Sequence, residues 1–307
     1  METIPTMPGI TILDDELPDV AHVGPEDGHI ELESLYNTRD LGGIETSDGR
    51  HVKPRMLIRS ALLADATEHD AKSLIDDFRL RKVIDFRTEE ERLKRPDPED
   101  LFLGVSFIDI PVLNTQALGI TREGGIKGLI EAAKSLEADP AEIMIKIYPS
   151  MLLNERSMQG YAAFFDELLK DEGAPLGSDP LIGDASAHAE GSVLWHCSAG
   201  KDRAGLAAAL LLYVLGVPYE RILADYLATN KYIESHTQEI LDMLATYHMA
   251  ERLDGSVRVL NSADERFLNA AFDSVKEQYG DIDTYLREAL GITSEKVEAL
   301  RAKYLEA

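Results

Sequence analysis

Cysteine is almost missing from this chain. Cys197 stands alone among 307 residues, so no intrachain disulfide can form and nothing asks for an oxidising compartment. Basic residues are scarce too, 31 against 56 acidic ones, for a formal charge of −25. So negative a surface repels nucleic-acid phosphates and anionic lipid alike. That argues against a nucleic-acid partner and sends any phosphate-bearing substrate to a local positive site. No Lys or Arg precedes Arg39, whereas nine Asp or Glu do, the reverse of the basic start of a secretory leader. Long apolar runs are absent as well: the longest, residues 204–217, is about 14 residues, short of the roughly 18 or more that span a bilayer. The expectation is a cytoplasmic protein without stable membrane insertion.

What is present is ordinary for a folded protein, 44% hydrophobic and 28% charged residues, in a chain long enough to bury a sizeable core. Residues 1–30 mix Pro, Gly and acids without periodicity and read as an acidic arm, leaving 31–307 as one domain. Within it, apolar strands at 56–58, 82–86 (KVIDF), 105–112 (VSFIDIPV) and 192–196 alternate with helical patterns, one opening at Thr67 and another over 158–170. A helix is expected over 126–154, interrupted at Pro140 and stopped near Pro149, and a surface insertion over 171–191. After Pro218 the chain reads as nearly all helical, with a capping box at Ser262 and Glu265 and a last helix opened by Thr293 or Ser294. Alternation of this kind gives an α/β fold: a central, mostly parallel sheet flanked by helices, and a mostly helical C-terminal third.

The chemistry is concentrated in residues 192–216, SVLWHCSAGKDRAGLAAALLLYVLG. A strand, a short loop with Gly200 and an apolar helix turn successive N–H groups and a helix N-terminus toward one concavity, which suits an anion. Cys197 lies in that concavity, where such surroundings favour the thiolate. Six positions on, Arg203 can offer its planar fork to two phosphate oxygens. Ser198, Ala199, Gly200, Lys201, Asp202 and Arg203 would hold the phosphoryl group while Cys197 attacks phosphorus in line, a reaction that needs neither metal nor cofactor. His196 is placed to orient the loop from behind.

HCSAGKDRAG resembles the phosphate loop of the protein tyrosine phosphatases, His-Cys, five residues, then Arg. NTRDLGG (37–43), LIRSALL (57–63) and VIDFRTEEER (83–92) are similar to a microbial branch with mycobacterial and listerial members. The resemblance spans about residues 35–305. It implies a cysteine-dependent phosphatase acting on phosphorylated proteins or small phosphomonoesters, phosphotyrosine favoured, with dual specificity or phosphoinositide hydrolysis as further readings. It also implies a helical lid, here residues 230–262. Polar residues beside Gly-Gly commonly organise turns, so Asn37, Arg39 and Asp40 read first as structural, with Arg39 a supporting residue that could also help hold substrate. The chain departs from the pattern twice. Ala204 replaces the hydroxyl residue that follows the Arg, and no Trp-Pro-Asp loop is present, Asn114 standing where relatives carry Asp. Asp85, at the end of a strand, is the first candidate for general acid, Asp202 the second and Asp109 the third. A phosphate-binding module without turnover is the non-enzymatic reading, and a sulfurtransferase the other enzymatic one.

Overall fold

The computed structural model describes residues 25–113, 139–170 and 191–307. Asn114, residues 126–138 of the expected helix and nearly all of the expected insertion lie outside these. Regular structure starts with β1 (Arg39–Asp40), β2 (His51–Val52) and β3 (Leu57–Ser60). Then come α1 (Glu68–Asp76), β4 (Leu80–Asp85), α2 (Glu89–Lys94) and β5 (Ser106–Asp109). Both helices open with capping boxes, Thr67 with Asp70 and Thr88 with Glu91, which satisfy two otherwise orphaned N–H groups each. Next are α3 (Pro140–Leu153), α4 (Glu155–Leu169), β6 (Ser192–His196), α5 (Asp202–Leu215) and α6 (Tyr219–Tyr232). The chain continues through α7 (Glu234–Ala245), α8 (Ala250–Asn261), α9 (Glu265–Tyr279), α10 (Ile282–Glu288), α11 (Ser294–Tyr304) and β7 (Leu305–Glu306).

Five strands form one sheet in the order β1-β3-β6-β4-β5, parallel except for β1, and β2 pairs with β7 apart from it. The fold is therefore the expected α/β type, with a helical C-terminal part. Alternate residues feed two cores: Leu57, Ile84, Val193 and Trp195 enter one, Ile58, Val83 and Leu194 the other. Because β6 is central and all five of its residues are buried, it reads as an unbroken apolar run. The carboxyl ends of the parallel strands align, Ser60 with His196, His196 with Asp85 and Asp85 with Asp109, and that edge is where such sheets place ligands.

Two helix boundaries differ from the sequence expectation. Pro140 is the first residue of α3, where Asp139 caps the helix and a first-turn proline loses no hydrogen bond; the expected stretch before it lies outside the described residues. Pro149 lies inside that helix; the burial of Tyr148, Met151 and Leu152 around it outweighs the single bond its ring removes. Ser262 and Glu265 form no capping box. Ser262 ends α8, its hydroxyl donating back to Val259, and Asp264 caps α9 instead.

Candidate active site

The loop from β6 to α5 is shaped by donors that pull its carbonyls outward. His196 Nδ1 contacts the Cys197 carbonyl at 3.2 Å. The Ser198 carbonyl accepts from Leu62 N at 3.2 Å and from the Tyr36 hydroxyl at 3.4 Å. Asn37 Nδ2 donates to the Ala199 carbonyl at 3.0 Å, and Arg59 Nη2 to that of Gly200 at 2.7 Å. Past the loop, the carbonyls of Arg203 and Ala204 take the Tyr161 hydroxyl and the Trp195 indole N–H. Turning the carbonyls out turns the amides in. Among the described residues, the N–H groups of Ser198, Ala199, Gly200 and Lys201 have no main-chain or side-chain acceptor. Gly200 makes the turn possible: its φ is +66°, and a Cβ there would lie 2.5 Å from the Ser60 carbonyl oxygen.

Cys197 and Arg203 are each 2% exposed, and within the loop only Ala199 and Asp202 reach solvent appreciably. Arg203 is clamped by Glu91. Nη1 donates to Oε2 at 2.7 Å and Nη2 to Oε1 at 2.8 Å, while Oε1 also receives the Ser198 hydroxyl at 2.7 Å. Arg203 Nε is left without a partner, so one donor of the fork remains for a ligand. Glu91 is the residue that sequence reasoning missed. Its signal was the Thr88-x-x-Glu91 box directly after a strand, because the same carboxylate that closes the box, accepting Thr88 N at 2.8 Å, holds Arg203.

Behind the loop lies a second buried network. His196 Nε2 meets Asp97 at 3.1 Å, and Arg87 bridges Asp97 and Asp85, taking both Asp85 oxygens at 2.8–3.1 Å. Burial pulls the His196 imidazolium down, yet Asp85 and Asp97 outweigh it and its pKa rises above the ordinary value. When protonated, the ring donates at both nitrogens. Asp85, 2% exposed, thus faces Arg87 and lies 3.9 Å from His196. Asp109 is exposed, ion-paired with Arg92. Asp202, at the first position of α5, accepts the Tyr148 hydroxyl at 2.5 Å, and Tyr148 in turn meets the Tyr226 hydroxyl. Lys201 does not extend its ammonium as a free charge: Nζ donates to the Leu260 and Ser262 carbonyls at 2.5 and 3.1 Å, at the C-terminal end of α8. Arg39 contacts Asp225 and Thr229. Asp85, Asp97 and His196, and likewise Glu33, His69 and Asp70, lie close enough to hold a cation, but in both groups the oxygens already accept hydrogen bonds from the protein.

The model of the tyrosine phosphatase family matches residues 30–306. The chain belongs to the tyrosine phosphatase family. A Cupriavidus necator protein named as a tyrosine-protein phosphatase is 29% identical over 281 residues, 90% of this chain and 88% of that one. The triple specificity protein phosphatase PtpB of Mycobacterium tuberculosis is 34% identical over 125 residues, 37% of this chain and 44% of its own length. A tyrosine-protein phosphatase of Nostoc commune is 30% identical over 126 residues, 40% and 42% of the two chains. No helix among the described residues is long and apolar enough to cross a membrane.

In this phosphatase the Glu91 clamp has a pH signature. Burial works to raise the Glu91 pKa, but Arg203 and three hydrogen bonds win and hold it at about 2. A depressed carboxylate contributes stability that is complete above its unfolded value, near 4.5, and is lost as pH falls through the folded value. The contribution is roughly 3 kcal/mol. Urea unfolding of wild type and Glu91→Gln between pH 5 and pH 2 should therefore show a stability gap that closes as pH falls. A gap constant across that range would mean that Glu91 is not ionised against Arg203.

Proposed function

We propose that this phosphatase hydrolyses phosphomonoesters, phosphotyrosine foremost, through a cysteinyl-phosphate on Cys197, with no metal in the step. The observation that carries the reading is the ring of unclaimed N–H groups from Ser198 to Lys201 around Cys197, completed by Arg203 Nε. Donors fixed in advance on the equatorial oxygens stabilise the charge of the transition state without reorganising. Sγ of Cys197 attacks phosphorus as the ester P–O bond breaks, and the departing oxygen takes a proton. Water then attacks phosphorus, the S–P bond breaks, and the thiolate returns.

We assign the proton to Asp202. Its Oδ1 is engaged by the Tyr148 hydroxyl and lies 3.3 Å from the Lys201 ammonium, but the residue sits in the loop beside Arg203 and reaches solvent, whereas both Asp85 oxygens are held in the Arg87 fork. Asp85 then acts through Arg87 and His196 as a positioning residue. With Lys201 committed to α8, phosphotyrosine is favoured over a polyanionic lipid. The expected lid, residues 230–262, corresponds to the end of α6 and the α7–α8 hairpin. Lifting it away would break the Lys201 bonds to Leu260 and Ser262.

The test is initial-rate hydrolysis, in chelator, of a phosphotyrosine peptide, a phosphoserine peptide and a phosphoinositide, with Asp202→Asn and Asp85→Asn alongside. Loss of the acid costs most where the leaving group is a poor one. Asp202→Asn should slow the phosphoserine peptide about 10²-fold while slowing p-nitrophenyl phosphate far less. If Asp85→Asn shows that leaving-group dependence and Asp202→Asn does not, the acid is Asp85.

A further inference from the structure

Two buried phenols stand in line behind Asp202. Its Oδ1 accepts the Tyr148 hydroxyl at 2.5 Å, and the Tyr148 and Tyr226 hydroxyls lie 2.5 Å apart. Both tyrosines are fully buried. Burial first, and the charge of Asp202 next, raise the pKa of each well above the ordinary phenol value, so both keep their protons at neutral pH. Each hydroxyl has one proton to give, and that count fixes the direction of the chain. An ionised carboxylate only accepts, so Tyr148 donates to Asp202; the Tyr148 oxygen is then left to accept, and Tyr226 donates to it. Each bond of such a chain polarises the next.

Neither ring is free to turn away. Tyr148, on α3, packs against Tyr226 of α6 and Phe267 of α9, with ring centroids 6.4 and 5.5 Å apart. Gly205, three positions after Asp202, makes room for Tyr226: a Cβ there would lie 3.2 Å from its ring. The two oxygens of Asp202 are thereby made unequal. Oδ1 takes the Tyr148 bond and lies 3.3 Å from the Lys201 ammonium, whereas among the described residues no hydrogen bond engages Oδ2. Negative charge is favoured on Oδ1, so the proton of the carboxylic acid belongs on Oδ2.

We infer that Tyr148, backed by Tyr226, is a positioning residue of the acid step: it anchors Asp202 through Oδ1 and leaves the Oδ2 proton for the departing ester oxygen. This rests on Asp202 being the acid. As the ester P–O bond breaks, its oxygen takes the proton and the O–H electron pair stays on the carboxylate, where a donor fixed in advance already meets Oδ1. The tyrosines transfer no proton themselves. Nor do they shape the cradle, since the carbonyls of Ser198, Ala199 and Gly200 are anchored by other residues.

A double-mutant cycle on kcat/KM tests this. Tyr148→Phe, made in wild type and in Asp202→Asn, keeps both rings and removes one donor. In wild type it should lower kcat/KM for a phosphoserine peptide about tenfold and for p-nitrophenyl phosphate no more than about twofold, with inhibition by inorganic phosphate unchanged. In Asp202→Asn it should cost the peptide less than about twofold. Tyr226→Phe should repeat the pattern at about threefold, and it carries the cycle if Tyr148→Phe does not fold. A tyrosine that merely supports the fold would slow both substrates alike, whether or not Asp202 is present. That result, or no loss on the peptide, overturns the inference while the acid stands. Should Asp202→Asn itself show no leaving-group dependence, the acid assignment falls and the inference falls with it.

Discussion

Cys197→Ser is expected to lower phosphotyrosine-peptide hydrolysis by at least about 10⁴-fold while inorganic phosphate still binds. The substitution is nearly isosteric, and none of the carbonyl anchors passes through Sγ: those of Ser198, Ala199 and Gly200 are held by Leu62, Tyr36, Asn37 and Arg59. The cradle and Arg203 should therefore survive. What disappears is the nucleophile, because a serine hydroxyl is far less acidic than a thiol and the loop's donors do not ionise it. Trapping the wild-type enzyme with acid during turnover should yield phosphate on Cys197, and Cys197→Ser should yield none. Equal rates from both proteins would remove Cys197 from the mechanism. Phosphate binding by wild type with no hydrolysis of any of the three substrates would make the chain a binding module, with Ala204 the first suspect.

Glu91→Ala should be nearly as damaging, for a different reason. It leaves the Arg203 guanidinium, 2% exposed, without the carboxylate that clamps it and takes away the acceptor of the Ser198 hydroxyl as well. Removing one side of a buried ion pair costs about 3–5 kcal/mol of stability. Catalysis should suffer separately, because an Arg203 no longer held in plane cannot align its fork with the equatorial oxygens; a fall of about 10²-fold in kcat/KM is expected. A stability defect alone would leave the folded fraction fully active. The deciding comparison is thus kcat and KM at a temperature where the variant is folded by circular dichroism, together with the affinity for inorganic phosphate. Full activity of that folded fraction would reduce Glu91 to a stabilising residue.

The family's loop motif and the α/β alternation were legible in the sequence because their information is local. Ten consecutive residues hold the loop, and β6 and α5 flank it with unmistakable apolar runs. Glu91 was not legible, since it reaches Ser198 and Arg203 from 107 and 112 positions away. Asp225 was hidden for the same reason, 166 positions from Arg59. Lys201 shows the limit from another side. Its place in the loop suggests a phosphate contact, and the structure adds what the sequence could not show: the helix-end carbonyls of Leu260 and Ser262 lie within reach of its ammonium, and unpaired carbonyls at a helix C-terminus attract a cation. Ser262 failed as a cap because Asp264, two residues on, competes for the same role. Pro149 failed as a stop because burial of its neighbours decides the matter.

The outward anchoring of the phosphate loop bears on how far the loop can travel. Its carbonyls are held by Tyr36 and Asn37 from before β1, Arg59 from β3, Leu62 beyond it and His196 from β6. HCSAGKDRAG is thus only the visible tenth of a device distributed over the molecule. Transplanted between a strand and a helix of some other scaffold, those ten residues would lack the hands that turn their carbonyls away, and the graft would be a peptide with a cysteine rather than a portable catalytic module.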